Sequence, residues 1–170
     1  MTELHSAPAL RFKKLYEKTY TTDHSNFTLY LSNYAKQSPL MVMVRYRNTE
    51  GVDKYLRIDF YEDYSRGTRI NPDGSVETDK ITVIKIPSDL DRGYLAIALF
   101  PLADFGIAVI NHVWKDTGGN WHGTASFTGT PLFSNPLEKL RILCYTSDDP
   151  SLPHYANLNP DIIIEVWGVG

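Results

Sequence analysis

Apolar and polar residues alternate with a period of two along much of this chain. Leu56, Ile58 and Phe60 point one way while Tyr55, Arg57, Asp59, Tyr61 and Asp63 point the other, the pattern of a strand with one face in a core and one in water. Nearly all of the ten prolines fall between such segments rather than inside them, as strand punctuation does. Strands are predicted at 26–32, 38–47, 54–63, 79–86, 94–100, 105–115, 121–130, 138–146 and 161–167. That many short strands in 170 residues define an all-β, single-domain antiparallel β-sandwich or a barrel.

Two segments break the alternation. Leu40-Met41-Val42-Met43-Val44 and Ile162-Ile163-Ile164 are apolar on both faces, which a sheet covered on both sides, or a contact between subunits, explains. At the N-terminus Phe12, Leu15, Tyr16, Thr19 and Tyr20 recur at helical spacing, so residues 1–25 are expected to form a short helix or an extended arm, with the sandwich over 26–170. Asn48-Thr49-Glu50-Gly51 and Asn71-Pro72-Asp73-Gly74 are turn signals, the first tight enough for a hairpin, and a helical turn is expected at Ser88-Asp89-Leu90-Asp91.

The firmest hairpin is Trp114-Lys115-Asp116-Thr117-Gly118-Gly119-Asn120-Trp121. A two-residue Gly118-Gly119 turn sets Thr117 against Asn120, Asp116 against Trp121 and Val113 against Thr124. One face then holds Ile110, His112, Trp114, Trp121, Ala125 and Phe127. The other holds Val109, Asn111, Val113 and Lys115 with His122, Thr124, Ser126 and Thr128. Sugar-binding sheets set aromatic rings beside short polar side chains, so Trp114, Asp116, Asn120, Trp121, His122 and Thr124 are candidate ligand-binding residues for a carbohydrate. The alternative reading makes both indoles a cross-strand pair closing the core, leaving the polar ladder as surface.

Tyr55, Arg57, Tyr61, Tyr64 and Arg66, with Arg69 nearby, combine the residue types enriched at interface hot spots and are candidate interface residues. Asp148, Asp149, His154, Asn157, Asn159 and Asp161 offer oxygen ligands but lack the ordering of a calcium loop, and the five histidines show no zinc spacing, so no metal is expected. No phosphate loop, nucleophile elbow or His-Glu metal helix is present. No catalytic residue and no cofactor are therefore assigned; a hydrolase would need a triad assembled in space.

Charge and cysteine content narrow the setting. Seventeen Lys and Arg against 20 Asp and Glu give a formal charge of −3, so the overall balance does not mark a nucleic-acid binder, and no apolar run is long enough to span a membrane. Arg11, Lys13, Lys14 and Lys18 against Glu3 and Glu17 are too sparse for a packaging arm, so nucleic acid is expected at most as a weak partner there. The single Cys144 lies mid-strand as a small hydrophobe, and Met1 to Ser6 lack a secretory signal; a reducing, cytoplasmic setting, or a particle assembled there, is expected. Asn26-Phe27-Thr28 would accept a glycan only on export.

Trp121-His122-Gly123-Thr124 with Phe127, then the strand through Lys139-Leu140-Arg141-Ile142, a polar loop, and Asp161-Ile162-Ile163-Ile164-Glu165-Val166-Trp167 resemble the jelly-roll coat proteins of small icosahedral viruses over about 50 residues of pattern. The resemblance implies a wedge of two four-stranded sheets, homo-oligomerisation through its edges and loops, and no catalytic residues. The expected function is thus a non-enzymatic structural protein acting by self-association; a lectin-like, carbohydrate-binding module is the alternative.

Overall fold

In a computed structural model, residues 11–60, 66–70, 75–81, 83–101, 106–130, 139–147 and 155–170 are described. The strands are β1 (Phe12–Tyr20), β2 (Asn26–Tyr30), β3 (Leu40–Tyr46), β4 (Lys54–Phe60), β5 (Arg66–Ile70), β6 (Val76–Ile81), β7 (Val83–Ile86), β8 (Leu90–Pro101), β9 (Gly106–Asp116), β10 (Trp121–Thr130), β11 (Lys139–Tyr145) and β12 (Ile162–Val169), with a 3-10 segment at Leu31–Gln37. They form an all-β sandwich. The large sheet runs β1-β12-β3-β8-β9-β10-β5-β6 and the small one β2-β11-β4-β7, every pairing antiparallel.

With the β5–β6 and β9–β10 hairpins set aside, the pairs nest: β1 with β12, β2 with β11, β3 with β8, β4 with β7. Successive strands alternate between the sheets. The two inserted hairpins both join the large sheet beyond β8, which therefore extends past the small one.

Alternation decides the core. Leu40, Val42 and Val44 of β3, Leu95, Ile97 and Leu99 of β8, and Ile162, Ile164 and Val166 of β12 are buried against Phe27, Leu56, Ile58, Ile86, Leu140 and Ile142 of the small sheet. Each such side chain contributes roughly 1.5–3 kcal/mol by leaving water. Cys144 joins this core fully buried, and burial pushes its thiol up to about 12, so it behaves as a hydrophobe rather than a nucleophile. Among the described residues no helix is long and apolar enough to cross a membrane.

The helical expectation for the N-terminal segment is corrected: Phe12–Tyr20 is a strand, paired with β12 from Phe12↔Val169 to Tyr20↔Ile162. The cause is a β-bulge between Lys14 and Tyr16, which adds a residue to one strand so that apolar side chains recur after three or four positions instead of two. Leu15, Tyr16 and Tyr20 all pack on the core from this one strand. The other turns also differ from expectation. Asn48-Thr49-Glu50-Gly51 carries the chain from the large sheet to the small one instead of closing a hairpin, with Gly51 at φ 68°, and Ser88-Asp89 is a tight turn closed by the Leu90 N–H on the Pro87 carbonyl. Asn71 to Gly74 lie outside the described residues.

Lys54 is a charged residue built into the inside. The Lys54 side chain is 0% exposed, and its ammonium donates to the Asn157 carbonyl at 2.5 Å and to Glu50 Oε2 at 3.1 Å, tying the β3–β4 loop to the segment before β12. Lys54→Ala is expected to cost about 2 kcal/mol, the scale of a lost charged hydrogen bond, read as a lower urea midpoint. Lys54→Met, which keeps the apolar stem, should lose less.

Candidate functional site

The hairpin predicted around Gly118-Gly119 forms, but its register is one residue from the expected one. Asp116 N–H donates to the Asn120 carbonyl at 3.0 Å and Gly119 N–H to the Asp116 carbonyl at 3.1 Å, so the loop is the three residues Thr117-Gly118-Gly119, with Gly119 at φ 90°. A three-residue loop needs a left-handed residue at its last position, and Gly119 supplies it. Lys115 therefore faces Trp121, Trp114 faces His122, Val113 faces Gly123 and His112 faces Thr124.

A one-residue slip moves every side chain of one strand to the opposite face. Trp121 consequently leaves Trp114 and joins Val113 and Lys115 on the outer face, where it is 59% exposed and packs on Tyr94, ring centroids 6.0 Å apart. His122 and Thr124 move to the inner face with Ile110, His112 and Trp114. The expected pairings of Asp116 with Trp121 and Val113 with Thr124, and the shared face for both indoles, are overturned by the length of the loop. Backbone pairing continues through Ala125↔Asn111, Ser126↔Ile110 and Phe127↔Val109.

The inner face carries a row of stacked rings. Tyr46 lies across Gly93, the residue opposite it on β8, and reaches His112 Nε2 with its hydroxyl at 2.5 Å. His112 stacks on Trp114 at 4.8 Å and Trp114 on His122 at 5.2 Å, planes within 19° and 20°. The row thus runs from the core to the surface. Tyr46 and His112 are both fully buried; burial alone holds His112 down at about 4, and burial first, with Cys144 nearby second, holds the Tyr46 phenol well above its ordinary value. With His112 neutral and Nε2 accepting the phenol proton, its Nδ1 has no hydrogen-bond partner.

At the surface end Asp116 gathers the hairpin. Its carboxylate accepts from His122 Nε2 at 2.9 Å, from the Asn120 backbone N–H at 2.8 Å and from Asn120 Nδ2 at 3.2 Å. Those donors, His122 first, hold the Asp116 carboxyl at about 2. The arrangement orients an imidazole as a catalytic Asp-His pair does, yet both donor residues, Asn120 and His122, belong to the same hairpin, so it acts as a clasp on the loop. Among the described residues no group of three or more His, Cys, Asp or Glu is placed to hold a metal.

The sequence-predicted sugar residues are accordingly divided. Asp116, Asn120 and His122 meet at the turn, Trp114 and Thr124 lie inside, and Trp121 stands outside.

Of the predicted interface cluster, Tyr61 and Tyr64 lie outside the described residues, and Arg66 begins β5. Tyr55 is half-buried on the outer face of β4. Arg57 is turned inward on its neighbours: Nη2 is 3.0 Å from Asp59 Oδ2, and its guanidinium lies over Tyr145, 4.9 Å from the ring centre. Arg141 approaches the same carboxylate at 3.5 Å, yet burial dominates and raises the Asp59 carboxyl. Within the polar loop near the C-terminus, Asn159 accepts the Thr49 backbone N–H and the Asn157 carbonyl accepts Lys54, structural bonds both; Asp148, Asp149 and His154 lie outside the described residues.

Sequence reasoning missed Tyr46, Gly93 and Tyr94. Tyr46 continues the Val42 and Val44 alternation, a signal available in the chain, but its partners depend on strand order. Neither a family model nor a characterised protein matches the sequence.

Proposed function

We propose that this chain is a non-enzymatic structural protein acting by self-association, a coat-like jelly roll assembled in the compartment where it is made. The jelly-roll reading is supported by the nested pairing of β1 with β12, β2 with β11, β3 with β8 and β4 with β7, since a long two-stranded ribbon wrapped over two sheets pairs first with last in this way.

The observation that carries self-association is the outer face of the large sheet. Cross-strand rows there read Trp167-Met41-Ala98-Val109 and, at the end of β8, Phe100-Ile107, all partly or well exposed. Met41 and Met43, the outward half of the run Leu40 to Val44, belong to this face. The four strands of these rows, about 4.8 Å apart and apolar over about six residues at about 3.3 Å each, offer on the order of 400 Å2 of face, about half of the roughly 800 Å2 each partner gives up in a standard interface. A second copy supplies a matching apolar surface. Two residues of the β8 outer face are small, Ala98 beside Val109 and Ala96 beside Asn111, which allows close approach.

Light scattering across a concentration series tests the reading: masses above 19.3 kDa that rise with concentration are expected, and a monodisperse monomer at high micromolar concentration contradicts it. The carbohydrate alternative draws on Trp121, the one exposed indole of the hairpin, but its polar partners are bonded to each other or face the other way.

A further inference from the structure

The outer face of the large sheet changes character along its strands. Beyond the apolar rows lie Arg45-Tyr94-Val113 and, next to it, Arg92-Lys115-Trp121, side by side at the hairpin end. Arg92 is 61% and Arg45 47% exposed at the side chain. Arg47 reaches the same corner, with Nη2 3.3 Å from Asp91. Asp91 also lies 3.8 Å from Arg92 Nε, and Glu165 3.7 Å from Arg45 Nη2. Arg45, Arg47, Arg92 and Lys115, with Lys14, thus meet Asp91, Glu165 and Glu17, a local excess of positive charge in a chain of formal charge −3. Exposed ion pairs this long contribute little and exchange readily for another anion.

We infer that this corner binds single-stranded nucleic acid. A base stacks on the free side of the Trp121 indole, whose other neighbour is Tyr94, and the backbone phosphates lie against Arg92, Lys115 and Arg45. Three features favour this ligand. An indole left mostly in water beside a tyrosine is a stacking platform for unpaired bases, which a duplex keeps hidden. The cations flank that platform on three adjacent strands, about 4.8 Å apart across the sheet and about 6.6 Å along it, so that one extended strand can meet rings and charges together. A neutral sugar would need acceptors as well as donors around Trp121, and here its row neighbours Lys115 and Arg92 can only donate. The site is separate from the apolar rows that carry self-association, so it does not depend on them.

The test is fluorescence anisotropy of a short labelled oligothymidylate titrated with the full chain at low and moderate salt, with Trp121 emission followed in parallel. Binding is expected to quench Trp121 and to weaken steeply with salt. Trp121→Ala should lower affinity about tenfold, the scale of one lost base stack. Arg92→Gln with Lys115→Gln should reduce the salt slope by about two, while Lys85→Gln on the small sheet should change neither. Because Trp121 is exposed, its replacement leaves the fold intact, and an unchanged thermal melt verifies this. The inference is overturned if oligothymidylate does not bind at low salt, if Trp121→Ala binds as well as the parent, or if inorganic polyphosphate matches the oligonucleotide with no response from Trp121. Quenching by neutral oligosaccharides alone overturns it in favour of a sugar site. An Ala98→Glu chain that no longer self-associates is expected to bind as before, which keeps this result distinct from the outcome for assembly.

Discussion

Gly93→Ala should destabilise the fold by about 3 kcal/mol, the upper end of the range for overpacking a filled core, and should do so through Tyr46. A Cβ built on Gly93 falls 2.3 Å from Tyr46 Cζ and 2.5 Å from Cε2. The ring is fully buried between β8 and the small sheet, so it cannot retreat without leaving the core and breaking its bond to His112. Chemical denaturation should show the loss, and near-ultraviolet circular dichroism should show a changed tyrosine and tryptophan environment. In a double-mutant cycle, Tyr46→Ala added to Gly93→Ala should cost less than the two single changes summed, because removing the ring also removes the clash. Additive costs would mean that Gly93 matters for some other reason.

The second large effect is a dependence on acid. His112 is neutral in the fold, its imidazole held at about 4 by burial, whereas in the unfolded chain it titrates near its ordinary value of about 6.5. Between those values the unfolded state binds more protons than the folded one, so stability falls as pH drops from about 6.5 to about 4 and levels below that, by about 3 kcal/mol in total. The groups facing His112 are the Tyr46 phenol and the Trp114 ring, neither of which titrates in this window. Among the described residues four carboxylates shift as well: Lys14 lowers Glu17 and Lys85 lowers Asp53, both with the sign of Asp116, while Asp59 is raised. Asp116, held at about 2, adds stability that is lost only as pH falls toward that value, and Asp59, raised by burial, has the opposite sign and offsets part of the loss. His112→Gln keeps a polar partner for Tyr46 without a titrating ring. Urea midpoints measured at neutral and mildly acid pH should converge for His112→Gln and diverge for the parent; an equal acid loss in both would place the titration elsewhere.

The architecture was legible in this chain where one face is wet and one dry. The segments 54–63, 94–100 and 121–130 read as strands from their composition, punctuation and alternation, and their described residues are strands. Leu40 to Val44 and Ile162 to Ile164 announced a sheet apolar on its outer side too, and they lie next to each other in β3 and β12. Two features misled for definable reasons. A bulge at Leu15 lengthened the spacing of apolar residues in β1 until it matched a helix. A glycine pair in the hairpin suggested a two-residue turn, whereas Asp116 bonds across to Asn120 and adds a residue to the loop. That single residue decided which tryptophan faces solvent.

The surface chemistry was out of reach for a different reason. Arg45, Tyr94, Lys115 and Trp121 come from four strands whose adjacency no local pattern encodes. The same holds for Tyr46, Gly93 and His112, which meet only because β3, β8 and β9 are neighbours. Turn chemistry and periodicity set each strand's faces; the nesting of the strands decides which faces come together.

Sedimentation velocity on the full chain and on Ala98→Glu tests the central claim most directly, because Ala98 sits in the middle of the apolar outer rows and its side chain is only partly buried. The parent is expected to sediment well above a 19.3 kDa species at micromolar concentration, and the variant, with an unchanged circular dichroism spectrum, as a monomer. A parent that stays monomeric, or a variant that assembles as the parent does, contradicts the account.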